Sequence, residues 1–282
     1  LSKTAAFLSV GGYTASVIKN SRQNTDQQRP VMEKQLEGKT AIITGAAGGI
    51  GSRIARAYGE QGARLILSGR NKERLDSLAA ELESQNHKAI VAQADVTEPG
   101  QVDNMVASAI KNFGQVDILV NNAGGAMYVK PPEKLKPEEW NNAIALNLTS
   151  VFLCSQAVSQ HMIAQQHGSI INISSVAGMR LSPAFVHYGA AKAGVINLTK
   201  SLAVCWGPHN INVNCIAPGL TATEGVSQWL PNKNQEDGTP VPPLEYPPDP
   251  EHVAELATFL ASRSSSHISG ELFPIRALTE LA

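Results

Sequence analysis

The sequence predicts an α/β protein with a doubly wound, mostly parallel sheet and helices on both faces, and three observations indicate this. From Gly38 onward, short β-branched runs alternate with longer segments of helical period. Strands joined by helix-sized connections imply right-handed crossovers and a parallel sheet covered on both faces. The apolar run Ile118-Leu119-Val120 is typical of a strand buried on both sides. A composition of 43% hydrophobic and 17% charged residues excludes a disordered chain.

The individual elements are predicted from two patterns: β-branched runs for the strands and helical periodicity for the helices. In chain order, β-branched runs predict the strands Thr40–Thr44, Arg64–Ser68, Ala89–Ala94, Val116–Val120, Ser169–Ser174, Ile211–Ile216 and Gly270–Pro274. An apolar period of about 3.6 residues predicts the helices Gly49–Glu60, Lys72–Ser84, Gln101–Phe113, Glu138–Gln165, Tyr188–Trp206 and Glu251–Ala261.

The chain is expected to divide into an extension over residues 1–35 and a single domain over residues 36–282. The stretch from Leu1 to Thr25 contains Lys3, Lys19 and Arg22 but no acidic residue. Such an acid-poor, basic segment is either a targeting segment or a poorly ordered extension. Because three cysteines form no disulfide framework, we expect a cytoplasmic protein, and the acid-poor segment makes an organellar location the alternative.

Charge and cysteine content exclude several classes of function. A net charge of −1 argues against a nucleic-acid partner, which would require a basic surplus. The three cysteines, Cys154, Cys205 and Cys215, form neither a disulfide framework nor a zinc-binding spacing, and no metal site is expected. No apolar run is long enough to cross a membrane.

A proline-rich segment interrupts the α/β pattern late in the chain. Seven of the 16 prolines lie between Pro231 and Pro250. Proline fixes φ and removes hydrogen-bond donors, so an irregular loop is predicted over about residues 224–250. A long loop on a rigid scaffold is typically a cover for a ligand, and we expect it to contact the substrate.

A glycine-rich turn follows the first predicted strand. The sequence from Thr44 to Gly51 places Gly45, Gly49, Ile50 and Gly51 where that strand leads into a helix. Glycines at this position let a pyrophosphate approach backbone N–H groups and the helix N-terminus. The spacing G-x-x-x-G-x-G differs from the G-x-G-x-x-G fingerprint, and a tight connection is the alternative. The position favours a dinucleotide site in a Rossmann-like domain.

The second predicted strand ends in Ser68-Gly69-Arg70. An acidic residue there would bind a free ribose 2′-hydroxyl, whereas the guanidinium of Arg70 suits a 2′-phosphate. The residue therefore favours NADP(H) over NAD(H). The alternative is an arginine that only contacts solvent.

Tyr188 and Lys192 are spaced i and i+4 at the start of a predicted helix, so their side chains share one face. A neighbouring ammonium favours the phenolate, and we expect it to lower the tyrosine pKa. Ser175 lies thirteen residues before Tyr188, at the carboxyl end of a predicted strand. That edge of a parallel sheet is where ligands bind.

Together these motifs resemble the short-chain dehydrogenase/reductase family over about residues 36–274. The resemblance implies that Tyr188 is the general acid/base and that Ser175 holds the substrate oxygen. It implies that Lys192 lowers the tyrosine pKa and binds the nicotinamide ribose, and that Asn147 anchors a water in a proton relay. Ser174, beside Ser175, is expected to be structural.

For the cofactor, the same resemblance assigns further residues. Asp95 and Val96 would contact the adenine, and Asn122 and Gly124 would either contact the adenosine ribose or stabilise the central strand. The segment from Ile216 would hold the nicotinamide through Pro218, Gly219 and Thr223.

The resemblance implies an oxidoreductase that interconverts a small-molecule carbonyl and alcohol with NADP(H). Alternatives are an NAD-dependent alcohol or steroid-type dehydrogenase and a non-catalytic dinucleotide-binding regulatory protein. It also implies a homotetramer or homodimer through the long helices near residues 138–165 and 188–206. The segment Pro274-Ile275-Arg276-Ala277-Leu278 departs from the family's usual valine-aspartate-glycine-glycine ending. His187 is a candidate substrate contact, and Cys215 is expected in the core.

Overall fold

The computed structural model describes residues 34–281, which contain seven β-strands and seven α-helices. The strands are β1 Thr40–Thr44, β2 Arg64–Gly69, β3 Ala89–Gln93, β4 Ile118–Asn121, β5 Gly168–Ile173, β6 Ile211–Pro218 and β7 Leu272–Ile275. The helices are α1 Gly49–Glu60, α2 Lys72–Ser84, α3 Pro99–Phe113, α4 Pro137–Ile144, α5 Ser150–Gln165, α6 Val186–Trp206 and α7 Pro250–Ala261. The predicted extension lies, apart from its last two residues, outside the described range.

The strands form one sheet in the order β3-β2-β1-β4-β5-β6-β7, and every pairing between them is parallel. The doubly wound fold is therefore confirmed. The chain builds outward from β1 to β3 and then returns to place β4 on the other side of β1. Ligands of such sheets bind at the carboxyl ends of the strands, where this reversal opens a crevice.

The core lies on both faces of the sheet because successive strand side chains point in opposite directions. Ile43 and Leu65 pack on the face that carries α1 and α7, and Ile42 and Ile66 pack on the face that carries α3 and α5. All four side chains are fully buried. Burial on both faces explains why the central strands show no alternation of polar and apolar residues.

The predicted continuous helix Glu138–Gln165 is wrong in one respect. Helix α4 is separated from α5 by a π-helical turn at Ala145–Thr149, where the N–H of Ser150 donates to the carbonyl of Ala145. Within this turn, Asn147 Nδ2 donates to the carbonyl of Ala143 at 3.1 Å. A side chain that bonds its own preceding turn competes with the regular α-helical pattern, and such turns often occur at functional sites. The other predicted elements agree within a few residues at their ends.

The proline-rich loop (residues 224–249) begins with a 3₁₀ turn at Glu224–Trp229 and is irregular thereafter apart from one antiparallel bridge. Two hydrogen bonds between backbone groups fix it to the domain. The N–H of Ala222 donates to the carbonyl of Pro248 at 2.9 Å, and the N–H of Leu278 donates to the carbonyl of Leu244 at 2.7 Å. The atypical segment after β7 therefore contacts this loop. None of the described helices is long and apolar enough to cross a membrane.

Candidate active site

A cavity of about 640 Å³ opens at the carboxyl ends of the strands. Its lining includes most of the predicted site residues: Gly45, Gly49, Ile50, Arg70, Asp95, Val96, Asn122, Gly124, Ser175, Tyr188, Lys192, Pro218, Gly219 and Thr223. Gly51 and Asn147 are not in this lining and act from behind it. The lining also contains residues that the sequence analysis did not select, including Arg74, Leu146, Thr221 and Val226.

The glycine-rich turn leads from β1 into α1 and leaves the start of that helix open. Gly48 is the N-cap, so no side chain caps the first turn, and that turn carries no acidic residue. Unpaired N–H groups at a helix N-terminus form a site for an anion. A Cβ atom on Gly51 would lie 2.3 Å from the carbonyl oxygen of Gly45, so the turn requires glycine there. The turn therefore fits a pyrophosphate, and Gly51 contributes by packing.

Hydrogen bonds from the end of β4 hold this turn. Asn122 Nδ2 donates to the carbonyls of Thr44 and Gly45, both at 3.1 Å. Thr44 Oγ1 donates to the carbonyl of Val120 at 3.2 Å and accepts from the N–H groups of Asn122 and Ala123 at 3.0 and 3.1 Å. Of the two roles implied for Asn122, these contacts support stabilisation of the central strands.

The end of the cavity that adjoins the end of β2 carries positive charge. Arg70 and Arg74 both line it and both are exposed. Asp95 Oδ1 accepts from the N–H and the hydroxyl of Thr97 at 3.0 and 2.7 Å. Burial raises the pKa of Asp95, but these two bonds and the charge of Arg70 outweigh it, so the pKa lies below its usual value. Arg74 was missed because it lies within a helix, although its position four residues after Arg70 was a usable signal.

At the other end, Ser175 and Tyr188 are joined by a side-chain hydrogen bond. Lys192 Nζ lies 5.6 Å from the centroid of the Tyr188 ring and donates to the carbonyl of Ile173 at 2.8 Å. The residue Ser175 follows β5, whereas Tyr188 and Lys192 project from the first turns of α6. The serine, phenol and ammonium thus meet at one point of the cavity.

The net shift of the Tyr188 pKa is upward, opposite in direction to the shift expected from a neighbouring ammonium alone. Burial of the phenol raises the pKa of Tyr188, and the hydrogen bond from Ser175 offsets this only in part. Burial also lowers the pKa of Lys192 to about 8. Both shifts have one cause, because a charge is unfavourable in a site shielded from water. Tyr188 is consequently protonated at neutral pH.

Asn147 is fully buried behind the cavity wall. Its Oδ1 accepts from the N–H of Gly125 at 2.9 Å, and its Nδ2 donates to the carbonyls of Gly125 and Ala143 at 3.2 and 3.1 Å. A Cβ atom on Gly124 would lie 2.7 Å from Asn147 Oδ1 and 3.3 Å from Lys192 Nζ. Both donor hydrogens of the amide are therefore used by protein carbonyls, one in the loop after β4 and one in α4.

Three residues near the site contact other parts of the protein. Ser174 is buried and its hydroxyl donates to the carbonyl of Lys192 at 2.8 Å, which is a structural contact. The Cys215 side chain is fully buried in the core. His187 is not among the residues that line the cavity, and its Nε2 contacts the carbonyl of Met127 at 2.5 Å. The candidate substrate contact at His187 is therefore a contact to protein.

Comparisons with known proteins agree with this geometry. The short chain dehydrogenase family model matches residues 39–234. A 3-oxoacyl-(acyl-carrier-protein) reductase from Thermotoga maritima is 39% identical over 244 residues, which cover 86% of this chain and 97% of the relative. A gluconate 5-dehydrogenase from Gluconobacter oxydans is 36% identical, with 85% and 94% covered.

Solved structures show the same likeness. A 7α-hydroxysteroid dehydrogenase complexed with NADH and 7-oxo glycochenodeoxycholic acid has a TM-score of 0.80 and 31% identity, with 87% of this chain and 96% of that chain covered. A short-chain type dehydrogenase/reductase from Mycobacterium marinum has a TM-score of 0.77 and 35% identity, with 86% and 95% covered.

Proposed function

The chain belongs to the short-chain dehydrogenase/reductase family, and on this premise we propose that it interconverts a carbonyl and an alcohol with NADP(H), using Tyr188 as general acid/base. The observation that carries the proposal is the meeting of Ser175, Tyr188 and Lys192 in the cavity that also contains the glycine-rich turn. The bound nicotinamide would supply or accept the hydride. The protein would supply orientation, a proton and stabilisation of charge.

The roles of the three side chains follow from their bonds and pKa values. In reduction, the protonated Tyr188 donates its proton to the carbonyl oxygen of the substrate as charge develops there. When the substrate binds, the Ser175 hydroxyl would turn its single hydrogen from the phenol to the same substrate oxygen. The Lys192 ammonium is charged below pH about 8 and lies beside the ring, where it stabilises the phenolate left by the transfer.

Two features of the cavity would bind the cofactor. The open N-terminus of α1 would hold the pyrophosphate, and Arg70 with Arg74 would hold a 2′-phosphate. The end of β2 offers glycine and arginine where a preference for NAD(H) would call for an acidic residue. These features support NADP(H).

The alternative function is an NAD-dependent alcohol or steroid-type dehydrogenase. It is favoured by the similarity to a hydroxysteroid dehydrogenase that was solved with NADH. Arg70→Asp separates the two. The loss of a charge-assisted bond worth about 1.5–3 kcal/mol should lower the preference for NADP(H) roughly ten- to a hundredfold in binding measurements with both cofactors. An unchanged ratio of the two affinities would refute the NADP(H) assignment.

Tyr188→Phe tests the reaction itself. We expect kcat to fall about 10²- to 10⁴-fold across a panel of ketones, sugars, steroids and acyl thioesters, because the general acid is lost. Cofactor affinity, measured by fluorescence titration, should stay close to that of the unmodified protein. Turnover that survives this substitution would contradict the proposed mechanism.

We also propose that the oxidoreductase domain spans residues 36–282 and assembles as a homodimer or homotetramer. Leu36 is fully buried, which supports a boundary near this residue. Helices α5 and α6 carry apolar residues around their circumference, and Phe152 and Val204 are 42% and 79% exposed. Sedimentation of a Phe152→Glu variant tests the assembly. A monomeric unmodified protein would refute it.

A further inference from the structure

His187 lies in the first turn of α6, directly before Tyr188, and is 1% exposed. Its Nε2 lies 2.5 Å from the carbonyl oxygen of Met127 in the loop that joins β4 to α4 (residues 122–136). A carbonyl oxygen only accepts, so Nε2 carries the proton and donates. The imidazole therefore links the helix that bears the general acid to the β4–α4 loop.

The other ring nitrogen explains why this link matters. Nδ1 is buried and has no hydrogen-bond partner among the described residues. A buried acceptor left without a partner costs about 1–3 kcal/mol, and an apolar side chain of similar size would avoid this cost. A histidine at this position is therefore favourable over an apolar side chain only if its bond to Met127 outweighs the cost of the unpaired Nδ1.

That bond has a defined place in the loop. One residue earlier than the cavity-lining Ala126, Gly125 is held by Asn147 through its N–H and its carbonyl. One residue later, Met127 is held by His187. Ala126 is therefore fixed from both sides. Because His187 lies in α6, its bond also holds the Ala126 part of the cavity wall in position relative to the helix that carries Tyr188.

The conformation after Met127 supports this reading. Tyr128 has a φ of +52°, in the left-handed region, and its ring centroid lies 6.2 Å from that of His187. The Tyr128 hydroxyl accepts from Asn142 Nδ2 at 3.5 Å, and Lys130 forms an ion pair with Glu139. The backbone thus changes direction directly after the contact with His187, and Ala126 is the last residue of the loop that lines the cavity.

We propose that His187 is a positioning residue that sets substrate fit: through Met127 it fixes the Ala126 wall beside Tyr188. The proposal rests on the proposed function, because it concerns the substrate side of that same cavity. The variants His187→Leu, which removes the donor, and His187→Gln, whose amide nitrogen can still donate to Met127, form a matched pair.

In steady-state assays, His187→Leu should raise KM for the carbonyl substrate about tenfold, as expected for one lost hydrogen bond, and change kcat less than about twofold. His187→Gln should restore most of the affinity. Equal KM values for the two variants, or a fall in kcat at constant KM, would overturn the proposal. The same holds if Ala126→Val, which alters the wall directly and leaves α6 intact, does not change KM.

Amide hydrogen exchange gives a readout that does not depend on turnover. His187→Leu should speed exchange in residues 125–130, and His187→Gln should return it towards the unmodified rate. If the leucine variant does not fold, the glutamine and Ala126 variants still test the proposal. Exchange that is unchanged in both histidine variants would overturn it. Absence of turnover in the unmodified protein would instead refute the proposed function.

Discussion

The burial of Lys192 leads to a prediction about stability that does not depend on substrate. Its side chain is 3% exposed, and burial lowers its pKa from 10.5 to about 8. At about 1.4 kcal/mol per pH unit, this difference corresponds to roughly 3 kcal/mol of destabilisation of the folded state while the lysine is charged. Lys192→Met keeps the length of the side chain and removes the charge.

The sign follows from proton binding. Between pH 8 and 10.5 the unfolded lysine holds its proton while the folded one has lost it, so the stability of the unmodified protein rises with pH in this window. Lys192→Met has no titrating group at this position, so its stability lacks this dependence on pH. Between pH 7.5 and 10, the unmodified protein should therefore gain roughly 2 kcal/mol relative to Lys192→Met. The lost bond to Ile173 shifts the two curves by a constant and does not alter this gain.

Urea denaturation at fixed protein concentration and several pH values measures the difference. Lys200→Met, at an exposed position on the same helix, is the matched control and should show no pH-dependent difference. Parallel stability curves for the unmodified protein and Lys192→Met would refute the reasoning, since they would mean that the folded protein does not penalise this charge.

Three further predictions follow from the site and its surroundings. Gly49→Ala should weaken cofactor binding, measured by titration, at least about tenfold, because the added Cβ would lie 2.6 Å from the Thr223 side chain. In the control Gly225→Ala, the added Cβ has no described atom within 4 Å, and the affinity should be unchanged. Leu278→Pro should increase proteolysis within the proline-rich loop because it removes the N–H that holds it, and Leu278→Ala, which keeps the N–H, should not. The kcat/KM for carbonyl reduction should fall as pH rises above about 8, where Lys192 loses its charge, and a flat profile from pH 7 to 9.5 would contradict the role given to the ammonium.

Regular patterns made most of the fold predictable. Each predicted strand exists, and so does each predicted helix except Glu138–Gln165, which is divided in two; burial against one or two faces leaves a period in the sequence. The π-helical turn was missed for the same reason, since an extra residue in one turn hardly disturbs an apolar pattern. Its cause is the bonding of Asn147 to Ala143 and Gly125, and Gly125 belongs to a segment distant in sequence.

The site shows a similar division. Spacing and strand ends placed Ser175, Tyr188 and Lys192 in one cavity, because the carboxyl ends of parallel strands share an edge. The shift of the Tyr188 pKa could not be read in the same way, since it depends on how far the surrounding chain excludes water. The contact of His187 with Met127 depends on the path of a loop, which has no period.

The hydroxyl of Thr44 has a consequence for how molecules enter and leave. It lies where the sheet divides into its two halves, and it joins β1 to the carbonyl of Val120 and to two N–H groups beyond β4. These hydrogen bonds join the two halves of the sheet at the bottom of the crevice, so we expect the halves not to hinge apart. We expect ligands to enter and leave on the side of the proline-rich loop, at a rate that depends on this loop and on the segment after β7 that is bonded to it.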